Sequence, residues 1–156
     1  MRGLKRVATP GIAALVKAGV PHEVCHFDVV TDLSDSGEFA PEQVFKTLII
    51  ALPQELAVAI VPVPSKLSLK AAAAALGVPK ATMAEPAAAE RSTGYVVGGI
   101  SPFGQRKRLR TVLDASALGW ERMLCSAGRR GWDVVVSPHD LIRLTGAITA
   151  DLIARA

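Results

Sequence analysis

Lys46 is the first residue that invites chemistry. It stands in the run Val44 to Leu52 (VFKTLIIAL), where it is the only charge. A lone ammonium is costly to bury, so it must reach solvent or meet an anion. Two arrangements satisfy that demand. The side chain can snorkel to a sheet edge or pair with a carboxylate. It can also stand at the floor of a pocket and bind an anion, and phosphate suits such a point charge. A second candidate is the loop Gly98-Gly99-Ile100-Ser101-Pro102-Phe103-Gly104. Adjacent glycines let a ligand approach the main chain and free N–H groups to point outward. Such donors can stabilise an oxyanion, each lost donor typically raising the barrier by about 3–4 kcal/mol. The same composition also builds a tight turn between strands. Beside the loop lie Arg106, Lys107, Arg108 and Arg110, with Arg129 and Arg130 elsewhere. These cations form either a patch for a phosphate backbone or a solvated turn.

Other chemistry is argued against. His22, His26 and His139 stand in no metal-ligand spacing with Cys or carboxylates, so a zinc site is not expected. Cys25 and His26 are adjacent, and on a strand they would point to opposite faces, a poor start for a thiol–imidazole pair. There is no G-x-S-x-G elbow. Gly99 to Gly104 has the glycine spacing of a P-loop, but Gln105-Arg106 follows where Lys and then Ser or Thr are required. No aromatic platform interleaves the basic residues, which argues against base-specific RNA reading.

The elements that must carry these residues can be read from local signals. Thr9-Pro10-Gly11 opens a helix that Gly19 ends. His22 to Val30 reads as a strand, and Thr31 to Pro41 as a polar, flexible loop. Val44–Leu52 and Leu56–Val63, separated by Pro53-Gln54-Glu55, predict a β-hairpin covered on both faces. Ser65 to Leu76 predicts an alanine-rich helix with Gly77 as its C-cap signal, and Glu85-Pro86 starts a second helix through Arg91. Tyr95–Val97, Thr111–Leu113, Met123–Ser126 and Asp133–Val136 read as strands, the last two around the turn Ala127 to Gly131. Ser137 caps a last helix that Gly146 ends, and an amphipathic turn follows from Thr149. Strands outnumber helices and short turns join them, which predicts an α+β domain with a mixed, largely antiparallel sheet flanked by helices.

The bulk numbers set the frame. At 156 residues one domain, 1–156, is expected, since chains split beyond roughly 250 residues. Hydrophobic residues make up 50 % and aromatics only 4 %, so the core must be aliphatic. No stretch reaches the roughly 18 apolar residues of a membrane span, and the basic N-terminus lacks an apolar signal region; a cytoplasmic protein is expected. Cys25 and Cys125 are expected to be reduced and packed in or near the core. The net charge of +4 suits a polyanionic partner without requiring one.

The blocks VFKTL (Val44–Leu48), AVAIVPV (Ala57–Val63), RSTGYVVGGISPFGQRKRL (Arg91–Leu109) and SAGRRG (Ser126–Gly131) resemble the YbaK family, related to the editing domain of bacterial prolyl-tRNA synthetases. The resemblance runs from Thr9 to about Ile153. It implies a curved sheet and a trans-acting deacylase that removes a wrong amino acid from tRNA, chiefly cysteine from tRNA(Pro). Alternatives are an alanyl-tRNA deacylase that uses water and a tRNA-binding module without turnover. Aminoacyl-tRNA is the implied partner, with prolyl-tRNA synthetase a candidate second one, and no metal or cofactor is implied. Lys46 falls on the family lysine that anchors the terminal phosphate, with Thr47 beside it. Gly98, Gly99, Ile100, Ser101 and Pro102 fall on the loop that holds the aminoacyl group; Phe27, Ser126 and Asp133 fall on pocket positions; Arg106, Lys107 and Arg108 would meet the tRNA backbone. No protein nucleophile is needed, because a cysteinyl ester can be cleaved by its own thiol. The chain departs from the family pattern in its shorter Thr31–Pro41 segment, in Phe27 where tyrosine is common, and in Arg110 where proline is usual.

Overall fold

A computed structural model of the chain describes residues 7–27 and 39–155. Local signals account for the helix ends. Helix α1 (Pro10–Lys17) starts at the Thr9 hydroxyl, which accepts the Ile12 N–H at 3.1 Å. Helix α2 (Leu69–Leu76) is capped by Ser68 and closed by Gly77 in the left-handed conformation. It begins later than its sequence suggests. Ser65 turns back to Pro62, and Leu67 forms a bridge with Ile153. Helices α3 (Pro86–Thr93) and α4 (Pro138–Thr145) both open on proline and close on glycine, at Gly94 and Gly146.

The strands form two sheets. The first has the order β1 (Glu23–His26), β7 (Trp132–Val136), β6 (Met123–Arg129) and is antiparallel. The second has the order β4 (Thr82–Met83), β2 (Phe45–Ala51), β3 (Leu56–Pro62), β5 (Arg110–Asp114), β8 (Ile148–Ala150). Its β2–β3 and β2–β4 pairs are antiparallel, whereas β3–β5 and β5–β8 are parallel. A bridge between Val44 and Leu124 joins the two sheets. The α+β architecture with a mixed sheet is therefore the one expected, divided between two sheets.

The expected hairpin is β2–β3, and both its faces are covered. Phe45, Ile49, Val58 and Ile60 pack with Leu15, Met123 and Leu141 in one cluster. Ile50, Ala57, Ala59 and Val61 pack with Ala72, Ala73 and Leu76 of α2 in another. Two covered faces explain why both strands read as continuous apolar runs.

Three sequence expectations are corrected. Tyr95–Val97 is not a strand: the Tyr95 hydroxyl donates to the Phe103 carbonyl at 2.6 Å, and Val96 starts a turn closed by the Gly99 N–H. The segment after Thr149 is not an amphipathic turn, because Ile148–Ala150 is claimed by β5 as a parallel neighbour. The turn expected over Ala127 to Gly131 is shorter, since β6 runs on to Arg129 through an irregularity between Ser126 and Arg129. Strand β1 covers part of the His22–Val30 expectation; residues 28–30, and most of the Thr31–Pro41 loop, lie outside the described residues. Among the described residues no helix is long and apolar enough to cross a membrane.

Candidate functional site

A cleft of about 710 Å³ opens where the two sheets meet. Period-two geometry builds one wall. Asp133 pairs in register with Cys25 on one side and Ser126 on the other, so their side chains share a sheet face, and Phe27 continues it from Cys25. Phe27, Ser126 and Asp133 all line the cleft. Strand β2 builds the opposite wall. Strand β4 pairs with Ile50 and Ala51, and the Ala84 N–H that follows it donates to the Ile49 carbonyl at 3.1 Å, leaving Phe45 to Leu48 beyond its reach; Phe45 to Ile49 all line the cleft. Lys46 and Thr47 are therefore adjacent in the chain and both reach it. Met83, Ala84, Pro86 and Ala89 add an apolar side.

Three polar side chains of this cleft, Lys46, Thr47 and Asp133, lack protein partners among the described residues. Lys46 is half-buried and makes no hydrogen bond or ion pair among the described residues. The Thr47 hydroxyl is buried with no hydrogen-bond partner among them. Asp133 accepts no hydrogen bond there either, and burial pushes its carboxyl up to about 6. Burial, and then the nearby Asp133, push the Cys125 thiol well above its ordinary value. Ser126 is partly engaged: its hydroxyl accepts the Gly128 N–H at 3.1 Å and keeps its own proton to donate.

The glycine loop divides between two jobs. Gly98 and Ile100 line the cleft. Gly99 is buried against the β6–β7 hairpin, and a Cβ there would stand 2.8 Å from the Arg130 nitrogen. Its N–H is committed to the Val96 carbonyl at 2.9 Å. Ser101 is fully buried; its hydroxyl accepts the Phe103 N–H, and its carbonyl accepts from Gln105 Nε2. Pro102 lines a separate, smaller cleft with Phe103 and Gly104. Tyr95 braces the loop from within, and burial pushes its hydroxyl up to about 12.

Of the residues read from sequence, the fold thus brings Phe27, Lys46, Thr47, Gly98, Ile100, Ser126 and Asp133 together. Gly99, Ser101 and Pro102 stand behind them. Arg106, Lys107 and Arg108 are exposed and lie outside the cleft. One cation at the cleft was visible in the sequence only as part of the basic complement. Arg130 lines the mouth and donates from both Nε and Nη2 to the Val97 carbonyl, at 2.9 and 2.6 Å. Only the folding of the hairpin onto the 96–99 turn distinguishes it from Arg129.

Chemically the arrangement offers a cation, main-chain donors, a desolvated carboxylate and an apolar surface. Among the described residues no group of three His, Cys, Asp or Glu could hold a metal ion. A neutral acyl group beside a phosphate would meet complementary groups here.

Comparison with known proteins identifies the family. The family model for the aminoacyl-tRNA editing domain matches residues 26–144. A curated relative in Enterococcus faecalis, EbsC, is named as an inferred Cys-tRNA(Pro)/Cys-tRNA(Cys) deacylase. It is 33 % identical over 111 residues, covering 70 % of this chain and 68 % of that protein. Among solved structures, one titled as a candidate trans-editing enzyme for prolyl tRNA synthetase superposes with a TM-score of 0.85 at 23 % identity, covering 96 % of this chain and 100 % of the other. The hypothetical protein APE2540 superposes with a TM-score of 0.83 at 20 % identity, covering 94 % and 100 %. At these identities the two structures speak for the fold.

Proposed function

This chain belongs to the aminoacyl-tRNA editing domain family, and from that premise we propose that it is a deacylase that acts in trans on Cys-tRNA(Pro). The observation that carries the reading is Lys46, a cation that no carboxylate pairs among the described residues, in a largely apolar cleft. An anionic ligand supplies what the fold leaves out. In this reading Lys46 holds the phosphate of the terminal adenosine. Gly98 and Ile100 present main chain to the ester carbonyl, with Gly99, Ser101 and Pro102 as the support that fixes them. Thr47, Ser126 and Asp133 meet the aminoacyl group, and Phe27 closes its apolar side. A cleft of about 710 Å³ exceeds what one amino acid fills and has room for part of the terminal nucleotide.

Editing has a physical motive. Cysteine and proline are similar in size, and a methylene-scale difference gives only about 1–3 kcal/mol of discrimination. In the proposed reaction the substrate thiol attacks its own ester carbonyl, the C–O bond to the ribose breaks, and the thiol proton ends on the ribose oxygen. The resulting thiolactone opens in water. The protein contributes positioning and charge stabilisation. Arg106, Lys107 and Arg108 are exposed and meet the tRNA backbone. Prolyl-tRNA synthetase is the partner that hands over the mischarged tRNA, a step checked by whether its addition speeds deacylation under turnover.

One observation favours a second reading. A carboxyl held at about 6 is poised to act as a general base near neutral pH, and Asp133 is such a group. It could activate water against an alanyl ester. The test is deacylation of Cys-, Ala-, Ser- and Pro-tRNA by the purified protein, together with S-methylcysteinyl-tRNA. Selective loss of cysteine, abolished by S-methylation, is expected. Unchanged cleavage of the methylated ester would replace the thiol route with the water route. If no ester is cleaved while tRNA binds tightly, the chain is a binding module and the deacylase reading fails.

A further inference from the structure

The cleft carries a turn whose central peptide can in principle take either of two orientations. Val96 to Gly99 is a β-turn closed by the Gly99 N–H on the Val96 carbonyl at 2.9 Å. Gly98, its third residue, has φ +92°, and no residue other than glycine has a positive φ among the described residues. Val97 therefore has a negative φ, and the turn is of type II. Types I and II differ in one respect: the central peptide, here Val97–Gly98, is flipped over. In a trans peptide the C=O and the N–H point to opposite sides. The orientation of this peptide thus decides whether an N–H or a carbonyl oxygen is presented on a given side.

Arg130 fixes that choice. Its Nε and Nη2 both donate to the Val97 carbonyl, at 2.9 and 2.6 Å. The Gly98 N–H then points away from the guanidinium. It has no hydrogen-bond partner among the described residues, and Gly98 lines the cleft. The Val97 N–H is also held, by Glu90 Oε2 at 2.9 Å. Glycine suits this position because its φ is +92°, and a Cβ there would stand 2.9 Å from Arg130 Nε, so the arginine would have to shift away. Two charge-assisted donors on one carbonyl also polarise the peptide they share with the Gly98 N–H.

We propose that Arg130 is a positioning residue that locks the Val97–Gly98 peptide in the type II orientation and so holds the Gly98 N–H ready for the ester carbonyl. With the peptide flipped, a carbonyl oxygen would stand in place of the donor and repel the developing oxyanion. The proposal rests on the deacylase reading above, and the positive charge of Arg130 acts through the turn rather than on the tRNA.

The experiment compares wild type, Arg130→Met and Arg130→Lys. Single-turnover cleavage is measured on Cys-tRNA(Pro) and on 3′-O-cysteinyl-adenosine 5′-monophosphate, which keeps the terminal phosphate but lacks the rest of the tRNA. Amide ¹⁵N relaxation dispersion reports residues 96–99, and thermal melting confirms folding. Arg130→Met is expected to slow the step at saturation about 10- to 100-fold on both substrates, with KM for the small ester within about threefold. Arg130→Lys keeps the charge but loses the fork, and is expected to remain close to Arg130→Met. Exchange broadening is expected at Gly98 in the variants and not in the wild type. Wild-type rates in Arg130→Met, full rescue by Lys, or a loss confined to KM on tRNA would overturn the proposal. A wild type that cleaves neither ester would sink the deacylase reading instead; the relaxation data would still decide whether Arg130 locks the peptide.

Discussion

The cleft and the basic segment from Arg106 to Arg110 are both rich in polar groups, and the fold treats them in opposite ways. In the basic segment the guanidinium groups are used by the protein. Arg106 donates to the Arg91 carbonyl, Arg108 to Leu144 and Arg110 to Leu76. Leu76 and Leu144 stand in the last turns of α2 and α4, where carbonyls lack helical partners and cations are favoured. In the cleft, Lys46, the Thr47 hydroxyl and the Asp133 carboxyl have no such partners among the described residues. A buried polar group without a partner costs about 1–3 kcal/mol. The two aspartates repeat the lesson. Asp114 is buried, but it accepts the Ser116 and Leu152 N–H groups at 3.1 and 2.8 Å. Asp133 accepts none among the described residues. Charge density marks the arginine strip, but unmet demand marks the cleft.

The largest effect expected from this contrast is at Lys46. Lys46→Ala should slow single-turnover deacylation about 100-fold or more and leave the melting temperature nearly unchanged, since Lys46 has no ion pair among the described residues. Arg108→Ala should change the rate by less than about threefold. Equal losses in the two would erase the distinction.

Asp133 comes next. Burial raises its carboxyl from 3.8 to about 6, so the folded state holds the proton more tightly than the unfolded chain. The ionised group therefore costs stability above pH 6, and the cost disappears below pH 4. Roughly two pH units correspond to at most about 3 kcal/mol. Asp133→Asn should raise denaturant stability by about 1–2 kcal/mol at pH 7.5 and by nothing at pH 4. Asp114→Asn should do the reverse and lose about 2 kcal/mol at pH 7.5, because two main-chain donors depend on it. A stabilising Asp114→Asn would break the comparison.

Thr47→Val should stabilise the chain by about 1 kcal/mol in thermal melts, since it removes an unpartnered hydroxyl, while lowering the deacylation rate. The smallest effect belongs to Arg110→Ala. Loss of its bond to Leu76 should cost about 0.5–1 kcal/mol of stability with activity preserved.

Much of this was legible in the residues. The caps at Thr9, Ser137 and Gly146, and the β2–β3 hairpin, follow from signals within a few residues. The pocket candidates Lys46, Gly98 and Asp133 were named from the chain, through a lone charge, a glycine pair and a family resemblance. Sequence placed Gly99, Ser101 and Pro102 among the ligand-facing residues, but it could not tell which loop residues turn inward. Gly99 is glycine because the Arg130 main chain passes 2.8 Å from where its Cβ would be, a partner remote in the chain. Strands β4 and β8, of two and three residues, carry no periodic signal and exist because β2 and β5 offer them an edge.

The sequence by itself therefore determined the helix caps, the β2–β3 hairpin, the α+β class and the chemical inventory, because capping, turn formation and alternation are short-range effects. Only the tertiary structure decided which polar groups are satisfied. That depends on register between distant strands and on the packing of the β6–β7 hairpin against the 96–99 turn. These long-range pairings tie Arg108 and Arg110 to helix ends, leave Lys46 and Asp133 unmet, and turn Arg130 toward Val97.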